Sequence, residues 1–217
     1  MSFVTRPLSA IAAVAALAAT AGCSGRGEID PTGGITAVRS VCPAVGVAAG
    51  TGDVTLFSPE TARTQDAIDV VATITNVRAT CADAADPIAT SITFDVLARR
   101  TRDTGAREVT LPYFTAVLQG GTVVSAKRVG RITIRFDAGQ LRARAGGTTQ
   151  AYVNRSAATL PDEIRQQITR RRKAGQEDAA VDPLSTPAVR QAVLRASFEA
   201  FVGFQLTDEQ LRYNATR

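Results

Sequence analysis

Hydrophobic and polar residues alternate along several stretches in the middle of the chain. Segment 68–77, IDVVATITNV, places apolar residues at every second position from Ile68 to Ile74. Segments 92–99, ITFDVLAR, and 131–136, RITIRF, repeat this pattern. Alternation with a period of two is typical of antiparallel strands that are buried on one face. The pattern therefore predicts a strand in each of these segments.

Further strands are predicted around Gly120-Gly121, because segments 109–118 and 122–126 flank these glycines, which suit a hairpin turn. Segments 54–57 and 149–153 bring the total to about seven or eight short strands. This number and spacing predict a mainly β protein with an immunoglobulin-like or fibronectin-like antiparallel β-sandwich. Two or three short helices are expected after it.

Those helices are predicted in the last third of the chain. Residues 161–174 carry Pro and two acidic residues before a run of helix formers, and a second short helix is expected over 187–196. Residues 198–206 alternate again, which predicts a strand that returns to the sheet. The segment 207–210, TDEQ, fits a capping box and predicts a terminal helix.

Residues 1–22 have the pattern of a secretory leader. Their apolar run of about 14 residues is shorter than the roughly 20 that span a bilayer. The ending Ala21-Gly22-Cys23 resembles the lipobox of bacterial lipoproteins, although Thr20 stands where such signals usually have leucine. This resemblance implies that Cys23 is acylated and becomes the mature N-terminus. Plain secretory cleavage is the alternative.

The lipobox resemblance also implies a location. Ser24 follows the cysteine, whereas Asp at this position is the common inner-membrane retention signal of Gram-negative lipoproteins. We therefore expect a lipid anchor in the outer membrane, on its periplasmic face; a soluble periplasmic protein or an inner-membrane lipoprotein are the alternatives. The predicted organisation is a signal peptide over 1–22, a lipidated tether over 23–39, a β-sandwich over 40–158, and a helical extension with the returning strand packed on the sandwich over 159–217.

Export sets the expected state of the two remaining cysteines. The periplasm oxidises thiols, and two leftover cysteines in an exported chain usually pair. We therefore predict a disulfide between Cys42 and Cys81. A redox-active or metal-binding pair is the alternative, but it lacks both the CxxC spacing and a histidine partner.

The chain contains no histidine. This excludes Ser-His-Asp and Cys-His catalysis as well as zinc and haem sites with histidine ligands. We accordingly predict no catalytic residue, no metal and no cofactor. Nucleic acid is not expected as a partner, because the predicted location is outside the cytoplasm.

Charge is distributed unevenly along the chain, whose formal net charge is +5. Residues 23–96 contain four arginines against nine acidic residues, whereas 97–144 contain ten basic residues against three acidic ones. A basic surface could contact anionic lipid, peptidoglycan or an acidic envelope protein. The alternatives are cross-strand pairing between acidic and basic segments, and a helix end whose cations complement the dipole. The candidate contacts are Arg99, Arg131, Arg135, Arg170, Arg171, Arg172 and Lys173.

Two further segments contain aromatic residues. They are LPYF at 111–114 and GFQLT at 203–207, the second followed by QLRYN at 210–214. Together with the leader and the cysteine pair, they resemble uncharacterised exported lipoproteins of Gram-negative bacteria. The resemblance implies no activity or ligand. The sequence favours a non-catalytic, lipid-anchored binding or envelope-structural protein. The alternative is an accessory subunit, or a histidine-free enzyme, of cell-wall or lipid metabolism.

Overall fold

The computed structural model describes residues 40–170, 175 and 181–216. The predicted leader, Cys23, the tether over 23–39, and the candidates Arg171, Arg172 and Lys173 lie outside the described residues. Residues 40–167 and 182–216 belong to one compact unit, and the other described residues, 168–170, 175 and 181, are assigned to a second unit.

Eight strands lie in the described part of the chain. They are β1 Ala44–Val47, β2 Asp53–Phe57, β3 Ile68–Ala82, β4 Ile88–Arg100, β5 Arg107–Gln119, β6 Val123–Phe136, β7 Arg142–Val153 and β8 Phe198–Phe204. The α-helices described there are α1 Arg155–Ala158, α2 Asp162–Thr169, α3 Pro187–Arg195 and α4 Asp208–Thr216, with single 3₁₀ turns at Gln65–Ala67 and Pro183–Ser185.

The strands form two sheets, with orders β1-β8-β5-β6 and β2-β3-β4-β7. All pairings are antiparallel except that of β1 with β8, which is parallel. The predicted mainly β sandwich with short C-terminal helices is confirmed. The sheets are interlocked, because β4 and β7 are neighbours in one sheet while β5 and β8 are neighbours in the other. Strands B/E and C/F of immunoglobulin domains lie in the two sheets in a similar way.

The inward faces of both sheets form one hydrophobic core. On β3 the alternation buries Val70, Ala72 and Ile74, as the sequence predicts, and inward residues of β2 and of β4 to β8 complete the cluster. Burying each such aliphatic or aromatic side chain contributes roughly 1.5–3 kcal/mol. Conversely, the outward positions of these strands are left to solvent, and any functional surface has to be built there or at the strand ends.

Two glycines make room for an aromatic pair inside the sandwich. Phe94 and Tyr113 meet edge to face with ring centroids 5.1 Å apart. A Cβ atom at Gly130 would lie 2.6 Å from Cζ of Tyr113, and one at Gly147 would collide with the Phe94 ring. Because Gly130 of β6 and Gly147 of β7 have no side chain, the two rings fit between the sheets and contact each other there.

Several predicted boundaries differ from those in the structure, and β7 begins at Arg142 rather than at residue 149. Segments 122–126 and 131–136, predicted as separate strands, form the single strand β6, whose register with β5 shifts at Ser125. At this shift Ser125 has no partner in the register with β5. Its hydroxyl donates a hydrogen bond to the carbonyl of Val117. Helix α2 ends at Thr169, before the predicted end at residue 174, and residues 171–174 lie outside the described part.

The C-terminal segment contributes one strand to the sandwich and ends in a helix that packs on it. Strand β8 lies between β1 and β5, so the last part of the chain contributes to the centre of one sheet. The capping box of α4 is present: the amide of Thr207 donates to Oε1 of Gln210, and the amide of Gln210 donates to the hydroxyl of Thr207. The Tyr213 ring packs edge to face on Phe57 of β2, with centroids 5.2 Å apart.

The predicted disulfide is confirmed, and it joins the two sheets. Cys42 precedes β1 of one sheet and Cys81 lies near the end of β3 of the other, with their Cα atoms 6.1 Å apart. We name this end of the sandwich the disulfide end. The aligned residues there are Ala82, Ala89 and Tyr152 in one sheet, and Ala44, Glu199, Leu118 and Val124 in the other.

The opposite end of the sandwich, the distal end, holds the β6–β7 turn. It is marked by the aligned residues Val71, Arg99 and Arg142. Along β4, the nine steps from Thr90 to Arg99 separate the two ends by about 30 Å. The two ends are far enough apart to contact different partners.

Candidate functional site

The exposed strand arginines do not form one surface. Arg99 lies on the outer face of the β2-β3-β4-β7 sheet, whereas Arg131 and Arg135 lie on the outer face of the other sheet. Arg135 pairs with Glu108 of β5 at 2.6 Å, and this hydrogen bond raises the pKa of Arg135. Arg170 is exposed beyond the end of α2. The basic strand residues that the sequence singles out are therefore divided between the outer faces of the two sheets.

A different set of arginines comes together at the distal end. Arg99 of β4 is directly opposite Arg142 of β7, and Arg144 lies two residues further along the same face. We name these three residues the distal arginine cluster. Arg144 is held by Asp95 at 2.6 Å. In the described part of the chain, neither Arg99 nor Arg142 has an acidic partner.

The acid within this surface is fully engaged. Asp95 accepts hydrogen bonds from Asn76 at 2.7 Å and from Arg144 at 2.6 Å. These two bonds, that of Asn76 first, lower the pKa of Asp95. Asp95 therefore remains ionised at neutral pH and neutralises Arg144. Its charge does not compensate Arg99 and Arg142 at the far side of the cluster.

Two like charges placed directly opposite each other on a sheet destabilise it, since the Cβ atoms of such a pair are only about 4.5–5.5 Å apart. Guanidinium groups bind carboxylates and phosphates through two parallel hydrogen bonds. An anionic group placed between Arg99 and Arg142 would relieve the repulsion and bind both side chains. Beside them, Leu97 is 49% exposed and offers an apolar contact. The cluster has the chemistry of a docking point for an acidic group.

Arg100 fixes this cluster from inside the protein. Its side chain is only 1% exposed and donates to the carbonyls of Gln140, Gly105 and Asp137 at 2.8, 2.6 and 3.0 Å. It also pairs with Asp103 at 2.7 Å. Because these partners belong to the β4–β5 loop and the β6–β7 turn, Arg100 holds the start of β7 beside the end of β4. It is thus a positioning residue for Arg142.

The disulfide end carries a different surface, at the tip of the β5–β6 hairpin. Val123 and Val124 follow the glycine turn and are each 58% exposed. Leu194, 48% exposed, lies in the last turn of α3, and its backbone carbonyl is next to Gly120 of the turn. The hairpin is attached to this helix end, because Nε2 of Gln119 donates to the carbonyl of Arg195 at 2.6 Å. We name Val123, Val124 and Leu194 the apolar tip.

Cations border the apolar tip. The ammonium group of Lys127 lies 4.9 Å from the centroid of the Phe114 ring, and the guanidinium of Arg128 lies 5.4 Å from that of Tyr152. Tyr152 keeps Arg128 at the disulfide end, whereas Phe114 lies four residues along β5 from Leu118. Neither contact neutralises the charge of the cation. Arg195, in the last turn of α3, adds a third cation.

A cleft of about 610 Å³ lies beside β2, next to the start of α4. Arg107 donates from both terminal nitrogens to Asp69, at 2.9 and 2.7 Å, and this interaction raises the pKa of Arg107. Arg63 pairs with Glu209 at 2.8 Å, and Glu60 also lines the cleft. Acid–base catalysis requires carboxylates that exchange protons with a substrate. Asp69 and Glu209 are instead occupied by arginines that connect separate elements.

The cross-strand pairing that the charge distribution allowed is present in part. Asp95, from the acidic segment, pairs across neighbouring strands with Arg144 of the basic segment. Asp69 pairs with Arg107 instead between the two sheets. The sequence singled out Arg99 but missed Arg142 and Arg144. Their signal was the alternation in RARA at 142–145, which continues the strand pattern of 149–153 towards the N-terminus.

Comparison with protein-family models, with curated proteins and with solved structures found no match. None of the helices in the described ranges has the length and hydrophobicity needed to span a bilayer. In the same ranges, no group of three His, Cys, Asp or Glu side chains is arranged to bind a metal ion. What the structure defines is a disulfide-linked β-sandwich with an arginine cluster at one end and an apolar, basic-bordered tip at the other.

Proposed function

We propose that this protein is a lipid-anchored periplasmic binding protein of the outer membrane. It acts by holding an acidic envelope protein and carries out no chemical reaction of its own. The observation that supports this function is the direct opposition of Arg99 and Arg142, with no acidic partner for either among the described residues. Retaining two facing arginines costs folding stability, and the cost is recovered when an anionic partner binds.

The location of the cluster suits such a role. The arginines lie at the distal end, about 30 Å along β4 from the end at which the N-terminal segment enters. A protein that is held to a membrane through Cys23 would therefore present the cluster to partners in the periplasm. The carboxylates of an acidic protein surface fit the guanidinium forks, and Leu97 adds an apolar contact between them.

Charge reversal of the cluster is expected to abolish partner binding. With a photo-crosslinking amino acid at position 97, irradiated cells should yield a complex with an acidic envelope protein. The double variant Arg99→Glu, Arg142→Glu should reduce its yield at least tenfold, because each charge-assisted hydrogen bond that is lost is worth about 1.5–3 kcal/mol. Mass spectrometry of the crosslinked band identifies the partner and quantifies the loss.

Two controls make this experiment decisive. The double variant Arg131→Glu, Arg190→Glu changes charge equally at exposed residues away from the cluster, and should leave the crosslink intact. The crosslinker at position 133, on the outer face of the other sheet, should not produce the complex. Equal yields from positions 97 and 133, or recovery of peptidoglycan or lipid without any protein, would contradict the proposed partner.

Lipidation is tested separately. The mature N-terminal peptide should contain an acylated Cys23, and Cys23→Ser should move the protein from the membrane fraction to the soluble periplasm, because the acyl chains supply the membrane affinity. Mass spectrometry and fractionation measure these results. The double variant Cys42→Ser, Cys81→Ser should remain with the membrane. An unmodified Cys23 in the purified protein would refute the anchor.

A further inference from the structure

The lipid attachment point and the apolar tip belong to the same end of the sandwich. Sixteen residues separate Cys23 from Ser40, so this segment spans on the order of 55 Å at most when fully extended. It enters the sandwich at Cys42, which the disulfide fixes to the end of β3. The register places Ala44, at the start of β1, in the same cross-strand row as Val124. A lipid on Cys23 would therefore be connected to the same end of the sandwich as the tip.

The tip is apolar where a soluble hairpin turn would be polar. Val123 and Val124 are each 58% exposed, and the adjacent Leu194 is 48% exposed. Transfer of three large aliphatic side chains from water into the headgroup layer of a bilayer lowers their free energy. Gly120, with φ of 61°, and Gly121, with φ of 74°, allow the tight turn that projects the two valines.

The cations around the tip lie where anionic headgroups would meet them. Lys127 and Arg128 are held by aromatic rings on β5 and β7, and Arg195 ends α3. The acidic residues Asp83 and Asp86 of this end lie in the β3–β4 loop of the opposite sheet. Glu199, beside Gly121, is half-buried. The hairpin side of the disulfide end thus combines exposed aliphatic side chains with a border of positive charge, which is the pattern of a surface that binds anionic phospholipid.

From this geometry we propose that the β5–β6 hairpin tip docks on the phospholipid surface to which the protein is anchored. Val123, Val124 and Leu194 enter the headgroup layer, and Lys127, Arg128 and Arg195 bind anionic headgroups. The inference rests on the proposed lipid anchor and adds an orientation to it. With the tip on the membrane, the long axis of the sandwich points away from the bilayer and the distal arginine cluster faces the periplasm.

Depth-dependent quenching tests the docking directly. The lipidated full-length protein is reconstituted into vesicles of phosphatidylethanolamine and phosphatidylglycerol that contain a brominated lipid. A fluorophore is attached to the new thiol of Val123→Cys or, as the distal control, of Thr104→Cys; the sequence has no cysteine beyond Cys23 and the disulfide pair. We expect quenching at position 123 to exceed that at position 104 at least fivefold. Adding Val124→Asp should remove most of this difference, whereas Leu141→Asp, which changes an exposed distal leucine, should not.

The outcomes separate the two proposals. If the anchor is absent, the protein does not float with the vesicles and the lipoprotein assignment fails. If the protein floats but positions 123 and 104 are quenched equally weakly, the anchor is present and the docking of the tip is refuted. Replacing phosphatidylglycerol by phosphatidylcholine should lower the quenching at position 123. Full quenching without anionic lipid would overturn the role of the three cations.

Discussion

Replacing Arg100 by Leu is expected to lower the free energy of unfolding by about 3–5 kcal/mol. The side chain is 1% exposed, and its removal leaves three loop carbonyls and the carboxylate of Asp103 without their shared donor. Leucine recovers part of the packing on the Phe136 ring, over which the guanidinium now lies at 5.2 Å, but it donates no hydrogen bond. Urea denaturation followed by circular dichroism measures the change.

The neighbouring residue supplies a matched control for this variant. Arg99 is exposed and lies one position earlier on the same strand, and Arg99→Leu removes its repulsion with Arg142. This variant should therefore keep or slightly raise the unfolding free energy, by less than about 1 kcal/mol. Arg100→Lys should fall between the two, because an ammonium group reaches fewer of the four acceptors. Equal stability of Arg100→Leu and Arg99→Leu would show that the loops do not depend on the buried guanidinium.

Removing the disulfide is expected to have an effect of similar size. Its two cysteines are separated by 39 residues. On the chain-entropy model, closing a loop of this length reduces the freedom of the unfolded chain by an amount worth about 4 kcal/mol. The double variant Cys42→Ser, Cys81→Ser should lose about this much stability in urea denaturation, and wild type under reducing conditions should behave in the same way.

Cys23, the proposed lipidation site, provides the contrast for this measurement. Cys23→Ser removes a cysteine that is not part of the disulfide, so the urea midpoint should stay at the wild-type value. A thiol assay on the denatured, unreduced Cys23→Ser protein should detect no free cysteine. Detection of two free thiols, or an unchanged midpoint in the double variant, would be incompatible with a stabilising bond between the sheets.

The strands could be predicted from the sequence because their signal is local. The alternation in 68–77 follows from the pleat of one strand, and the structure buries Val70, Ala72 and Ile74 accordingly. The capping box of α4 could also be predicted, since Thr207 and Gln210 satisfy each other's backbone amides within a single turn. Even the cysteine pairing was accessible, because only two cysteines remain once Cys23 is assigned to the lipid.

The site was predicted less completely, because it depends on register. Alternation shows that Arg99 and Arg131 point outwards, but it does not show which sheet each strand joins, and the structure places them on opposite faces. It also gives no indication that Arg142 lies opposite Arg99, since the two residues are 43 positions apart in the chain. In the sequence, Arg100 is only one of the ten basic residues of segment 97–144. Its burial depends on loops that come together around it from distant parts of the chain.

The sequence by itself was enough to predict the strand segments, the core faces and the pairing of the two cysteines, because these rest on residue chemistry and local periodicity. The leader stays a prediction. Tertiary structure alone decided which charges meet. Strand order brings Arg99 and Arg142 together at one end, and the disulfide brings the chain entry and the apolar tip together at the other. The reason is physical: cross-strand neighbours are set by hydrogen-bond register between segments that are remote in sequence.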